Sequence, residues 1–276
     1  GQYVVIRHKI EAQNLQQLAF GTSGAKSISL SFYVKSNKTG TFSVNIQLPD
    51  NSDKQVSAPF TINSANTWER KTFTFAGDTS GVINDDNGTG LTILWWLSAG
   101  SNYNSGTSRS TFTAYADADV GVGCNVNILD STSNNFYLTG VQLEASDAVS
   151  DFEHISFHDE LYRCYRYFQR WATGDGKPIA NGFYYNSTQI KVTCNLFTTM
   201  RTTPTLSHIT GTHYYVIYRD GAADTFDSFV LEPASDANRC GIYAYQNVSG
   251  TAGQTGIVRC NNAAPNGGQI DFNAEL

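Results

Sequence analysis

Tyrosines in polar surroundings are the residues of this chain best suited to holding a ligand. Tyr103 sits in Ser-Asn-Tyr-Asn-Ser-Gly, and Tyr184, Tyr214 and Tyr245 lie among amides and hydroxyls. Sugar recognition uses flat rings beside such groups, and tyrosine offers both an apolar body and a polar tip. Trp95 and Trp96 are neighbours on one expected strand, so they point to opposite faces and at most one of them lines a groove. Trp96, Tyr103, Tyr184, Tyr214 and Tyr245 are therefore the candidate ligand contacts, with core packing as the competing role for each ring.

Catalytic patterns are missing by comparison. A glycosidase needs two carboxyls roughly 5 to 10 Å apart across a cleft. The pairs Asp85/Asp86, Asp117/Asp119 and Asp224/Asp227 all fall in turn-like tracts, where solvated loops account for them. Gly21-Thr22-Ser23-Gly24 lacks the spacing of a nucleophile elbow, and there is no His-Glu-x-x-His, phosphate loop or dinucleotide fingerprint. His154 and His158 are four apart but straddle an expected helix start, so they need not share a face. The sequence reads as a non-enzyme with no catalytic residue, metal ligand set or cofactor. The one ion left open is a structural calcium, which takes oxygens of the kind found in Asn84-Asp85-Asp86-Asn87 and Asp117-Ala118-Asp119.

The elements that must position these residues are strands. Ile28, Leu30, Phe32 and Val34 alternate with Ser29, Ser31 and Tyr33, and the alternation resumes after Asn37–Gly40 with Phe42, Val44 and Ile46. Phe73 and Phe75 mark another strand, Leu91–Leu97 is apolar on both faces, and Phe136–Leu143 closes the set. Candidate strands later in the chain are Gly182–Tyr185, Gln189–Phe197, His213–Tyr218, Asp227–Leu231, Gly241–Gln246, Ile257–Cys260 and Gln269–Leu276. Ser156–Arg170 is the one helix, opened by Ser156 with Asp159 as a capping pair. Phe157, Leu161, Cys164, Tyr165 and Phe168 share its apolar face. Phe157, Leu161, Tyr165 and Phe168 are the candidate oligomer interface. The expected fold class is all-β: an N-terminal jelly-roll β-sandwich over 1–153, a connecting helix in 154–171 and a C-terminal β-sandwich over 172–276.

Composition narrows the partners. The 276 residues carry a net charge of −6 and only 15% charged side chains, without a basic stripe, which argues against nucleic acid. No apolar run reaches the roughly 18 residues a bilayer span needs, so no membrane insertion is expected. Cys124, Cys164, Cys194, Cys240 and Cys260 stand singly and odd in number, which suits small buried hydrophobes in a chain folded in a reducing cytosol. Gly1 stands in place of an initiating Met, so the sequence reads as processed or as a piece of a longer chain.

One stretch carries a resemblance. Thr139-Gly140-Val141-Gln142-Leu143-Glu144, then Phe152-Glu153-His154, then Arg163-Cys164 and Arg166-Tyr167-Phe168 resemble a module of tailed-bacteriophage structural proteins, mostly tail fibres. Ser31–Ser36, Asn66–Trp68, Thr72–Phe75 and Trp95-Trp96 resemble the strands of jelly-roll carbohydrate-binding modules. Met200-Arg201 with Pro204 and Leu206, and the terminal Phe272-x-Ala274-Glu275-Leu276, look like the β tip domain of phage fibres. The resemblance implies a virion component assembled in the host cytoplasm, a homotrimer beside other tail proteins. Its C-terminal tip would contact a host receptor, a surface glycan. The alternatives are a tail adaptor or capsid-attached fibre without a receptor, and a glycan-binding module of a larger secreted protein.

Overall fold

The computed structural model describes residues 2–261, 263 and 267–276. It is all-β, with antiparallel sheets and few short helices. The chain divides into two compact units, one ending at His154 and one running Ile155–Glu275.

The N-terminal unit holds β1 (Tyr3–Glu11), β2 (Ile28–Ser36), β3 (Gly40–Leu48), β4 (Lys54–Ile62), β5 (Glu69–Phe75), β6 (Thr89–Ala99) and β7 (Phe136–Glu144). One sheet has the order β1-β6-β3-β4 and the other β5-β2-β7. The chain switches repeatedly between the two, which gives a jelly-roll-like sandwich. Leu30, Phe32 and Val34 of β2 meet Phe42, Val44 and Ile46 of β3 and Leu91, Ile93 and Trp95 of β6 in one core. Each of these residues faces inward by simple alternation along its strand. Neither β1 nor β4 was among the expected strands. β1 carries the unbroken run Val4-Val5-Ile6, and β4 contains Pro59, which its place at a sheet edge tolerates. Two short helices, α1 (Ser101–Asn104) and α2 (Asp117–Val120), interrupt the long connection from β6 to β7.

The C-terminal unit adds β8 (Phe168–Thr173), β9 (Pro178–Asn186), β10 (Gln189–Asn195), β11 (Thr205–His208), β12 (Tyr215–Arg219), β13 (Ala222–Phe226), β14 (Val230–Leu231), β15 (Arg239–Ala244), β16 (Thr255–Cys260) and β17 (Gln269–Asn273). A seven-stranded sheet, β13-β12-β16-β9-β10-β15-β14, packs on a three-stranded one, β11-β17-β8. Ile190, Val192, Tyr215, Ile217, Ile270 and Phe272 lie in the core between them. The expected strand Asp227–Leu231 shrinks to β14, and the last strand stops at Asn273.

The helix is shorter than its periodicity suggests. α3 spans Phe157–Cys164, capped by Ser156, whose Oγ accepts from the Asp159 N–H at 3.2 Å. Tyr165 is its C-cap, and Phe168 has left it for β8, where it pairs with Asn273 of β17. Gln169 fixes the switch. It is fully buried, donates to the Tyr165 and Thr198 carbonyls and accepts from the Phe197 N–H. The expected four-residue face therefore breaks up. Phe157 and Leu161 remain on the helix, no residue of α3 is buried, and Phe157 is 81% exposed.

All five cysteines are free thiols, four buried and Cys164 exposed. Burial pushes the Cys194 thiol up to about 12 and those of Cys240 and Cys260 up to about 11.

Candidate functional site

On β6, Trp95 points into the sandwich core and Trp96 to the other side of the sheet. There Trp96 packs with Leu94 and Val120, and two tyrosines lean on it. The ring centroids of Tyr3 and Trp96 are 5.3 Å apart, those of Trp96 and Tyr103 5.6 Å, and those of Tyr3 and Tyr103 5.2 Å. Tyr3 arrives through the pairing of β1 with β6, Tyr103 on α1. The Gly100 N–H donates to the Gln2 carbonyl at 3.0 Å and the Gly121 N–H to the Tyr103 carbonyl at 2.8 Å, which seats α1. Gly121 lies against the indole, since a Cβ there would stand 3.0 Å from the Trp96 ring.

The chain beyond α1 then runs along the free edge of β4. Gln55 and Thr113 exchange backbone hydrogen bonds of 2.8 and 2.9 Å, and the Gln55 side chain donates to the Ala116 carbonyl at 2.8 Å. This delivers Tyr115 and Asp117 to the same place. The result is a cleft of about 220 Å³ walled by Tyr3, Trp96, Tyr103 and Tyr115. Arg7, Gln47, Asp53 and Asp117 supply its polar groups. The Tyr115 hydroxyl donates to Asp117 Oδ1 at 2.8 Å. Burial first, then Asp117 and Asp53, push that phenol up to about 12, so it stays a donor at any ordinary pH. Asp53 follows Ser52 in a turn where both have positive φ, 54° and 56°, a conformation Asp tolerates better than most residues. A second cleft, about 500 Å³ and lined by Gln2, Ser98, Asn125 and Asn127 among others, also uses Tyr3 as a wall.

Trp96 and Tyr103, singled out by sequence, thus share one site. Trp96 is its floor at 4% exposure, while Tyr3 and Tyr115, 49% and 45% exposed, offer the open ring faces. Neither of these two was a sequence candidate. Tyr115 sits in an Ala-Asp tract that reads as a turn, and nothing local ties Tyr3 to Trp96.

The other three tyrosines lie in the C-terminal unit, in three different settings. Tyr184 is fully buried, its hydroxyl donates to Asp224 Oδ2 at 2.7 Å, and the Arg219 guanidinium lies 4.7 Å from its ring. It is a core residue with no face for a ligand. Burial, followed by Asp224, raises its phenol to about 12. Tyr214 is half-buried against the core, its ring over Gly211, where a Cβ would come within 2.3 Å. Tyr245 is exposed beside Tyr243, with centroids 6.1 Å apart.

At least one carboxylate of each pair closes a loop. Asp119 Oδ1 accepts from the Thr107 N–H at 2.7 Å, and its other oxygen faces Arg109 at 3.7 Å. Asp86 accepts from the Gly88 N–H, Asp224 from Ser249, and Asp227 from His213 and Asn247. Among the described residues no group of three or more His, Cys, Asp or Glu side chains is placed to hold a metal ion. The aromatic cleft offers stacking surface, two carboxylates, an amide and a guanidinium.

No protein-family model matches the sequence, and no curated protein matches it either.

Proposed function

We propose that the chain is a virion structural component of the tail-fibre class, and that its N-terminal sandwich contacts a host-surface glycan through the Tyr3–Tyr103–Tyr115 cleft. The observation that carries the glycan reading is the convergence of four rings with Arg7, Gln47, Asp53 and Asp117 in one open cleft. A sugar ring laid on Tyr3 or Tyr115 would keep its hydroxyls within reach of those polar groups. The phage reading is supported by the residue pattern from Thr139 to Phe168. The open Phe157 ring on α3, 81% exposed, supports self-association, for which the resemblance implies a homotrimer. Three weak sites on one particle raise avidity by orders of magnitude over a single site. The four converging rings favour the N-terminal sandwich for the receptor contact over the C-terminal tip, where Tyr184 is buried.

Glycan-array binding of wild type against Tyr3→Ala and Tyr115→Ala tests this. Each variant is expected to bind about tenfold more weakly, the scale of one lost aromatic contact. Wild type that binds no glycan, or variants that bind as well as wild type, would remove the cleft from consideration. Light scattering tests the assembly: a single-chain mass would end the multivalent mechanism.

A further inference from the structure

The pattern Thr139-Gly140-Val141-Gln142-Leu143-Glu144, followed by Phe152-Glu153, takes no part in the aromatic cleft. On β7, Phe136 and Leu138 pack against the core. Strict alternation would send Gly140, Gln142 and Glu144 to that side as well. The register against β2 slips, however: Tyr33 lies opposite Thr139 and Ser31 opposite Gln142. Gly140 and Val141 together face Phe32, and Gly140 has φ +57°, which is a β-bulge with glycine in the left-handed position. A Cβ at Gly140 would also stand 3.0 Å from the Tyr33 ring. The bulge returns Leu143 to the core and turns Gln142 and Glu144 outward.

Outside, these two side chains grip the chain that leaves the sandwich. Gln142 Nε2 donates to Ser150 Oγ at 2.9 Å and to the Asp151 carbonyl at 3.1 Å, and Gln142 Oε1 accepts from the Glu153 N–H at 2.7 Å. Glu144 accepts from the Ser150 N–H at 3.1 Å and from its hydroxyl at 2.5 Å. Those Ser150 bonds hold the Glu144 carboxyl below its usual range. Arg70 of β5 reaches the Ser150 carbonyl, and Ser29 of β2, fully buried, donates to the Ser146 carbonyl at 2.9 Å.

We infer that the bulged end of β7 is a junction clamp: Gln142 and Glu144 extend the ordered sandwich to Glu153. The direction in which the chain exits is set by the sandwich itself, and Gly140 is required because only the bulge aims both gripping side chains outward.

Hydrogen exchange at single-residue resolution on the intact chain tests the clamp. Gln142→Ala is expected to speed exchange of the Glu153 amide roughly five- to tenfold, and Glu144→Ala that of the Ser150 amide, while amides of β3 and β6 keep their wild-type rates. Unchanged exchange at Ser150 and Glu153 in both variants overturns the inference. So does acceleration spread evenly through β2, β3 and β6, which would mean that Gln142 and Glu144 merely support the sheet.

Discussion

Both units stack a larger sheet on a three-stranded one, but they treat the outer face of the larger sheet differently. In the N-terminal unit, the connection from β6 to β7 packs across it and buries Ser43, Asn45, Gln55 and Ser57. Asn45 Nδ2 donates to Gln55 Oε1 at 3.1 Å and to Ser57 Oγ at 2.8 Å beneath that cover. In the C-terminal unit, Phe183, Tyr218 and Ile257, with alternate neighbours in the core, stay exposed on the seven-stranded sheet at 42%, 49% and 41%. A bare sheet face offers area, whereas a covered one acquires a margin, and the aromatic cleft is that margin. The sheet contributes Tyr3 and Trp96; the covering segment contributes Tyr103, Tyr115 and Asp117. The site is a product of the connection as much as of the strands.

Adjacent residues on β6 give the severest test. Trp95→Ala should cost about 3–5 kcal/mol and unfold the N-terminal unit in a denaturant titration, because it empties the middle of the core. Trp96→Ala should cost clearly less, since it belongs to a smaller cluster, Leu94 and Val120 with Val5, Ala99 and the cleft rings at its edge. Equal losses would mean that the covered face is a second core rather than a site.

A smaller effect is expected from Gln55→Ala, which strips a partner from Asn45 and from the Ala116 carbonyl at once. About 1–3 kcal/mol should be lost, with Tyr115 fluorescence and amide exchange near Thr113 changing before the rest of the unit. If the whole sandwich loosened uniformly, the cover would be integral to the sheet and the contrast with the C-terminal unit would dissolve.

The smallest effect is a pH dependence that sets the units apart. His208 Nε2 accepts from the Phe229 N–H at 3.2 Å in the C-terminal unit, and burial lowers its pKa below 6.5. Its folded pKa being the lower one, the stability it contributes is complete above pH 6.5 and is lost as pH falls through the folded value. In the N-terminal unit burial would raise Glu69, but Lys71 and the N–H groups of Ser64 and Asn63 bring it down to about 2. Its contribution is present above pH 4.5 and persists until pH falls toward 2. Burial also lowers His8 on β1, so the informative comparison is wild type against His208→Gln. The variant should lose about 1 kcal/mol or less of mildly acid-sensitive stability from the C-terminal unit alone, read from thermal melts between pH 7 and pH 5. An unchanged pH profile would detach His208 from that unit's acid response.

The strands were legible where period-two alternation is undisturbed, as from Ile28 to Val34, and the opposite facing of Trp95 and Trp96 followed from adjacency alone. What stayed hidden depends on partners far along the chain. Phe168 fits a helical face by spacing, but its pairing with Asn273 decides for a strand. Tyr3 belongs to the site only because β1 pairs with β6, and Tyr115 only because Thr113 bonds Gln55. Tyr184 looks like an exposed recognition ring in Gly-Phe-Tyr-Tyr-Asn, yet its strand sits mid-sheet, so one tyrosine of the pair must face inward. The β7 pattern was visible as residues, but its bulge was not, because the slip appears only against β2.

The distribution of thiols has a practical side. Cys164 closes α3 in the open, while the other four are buried, three of them with pKa values of about 11 to 12 that keep them protonated and slow to react. A maleimide-linked spin label or fluorophore should therefore attach at a single native position, with no substitution needed. If copies associate as proposed, each would carry one reporter on the helix of Phe157 and Leu161, and dipolar distances between labels would measure how the helices approach one another.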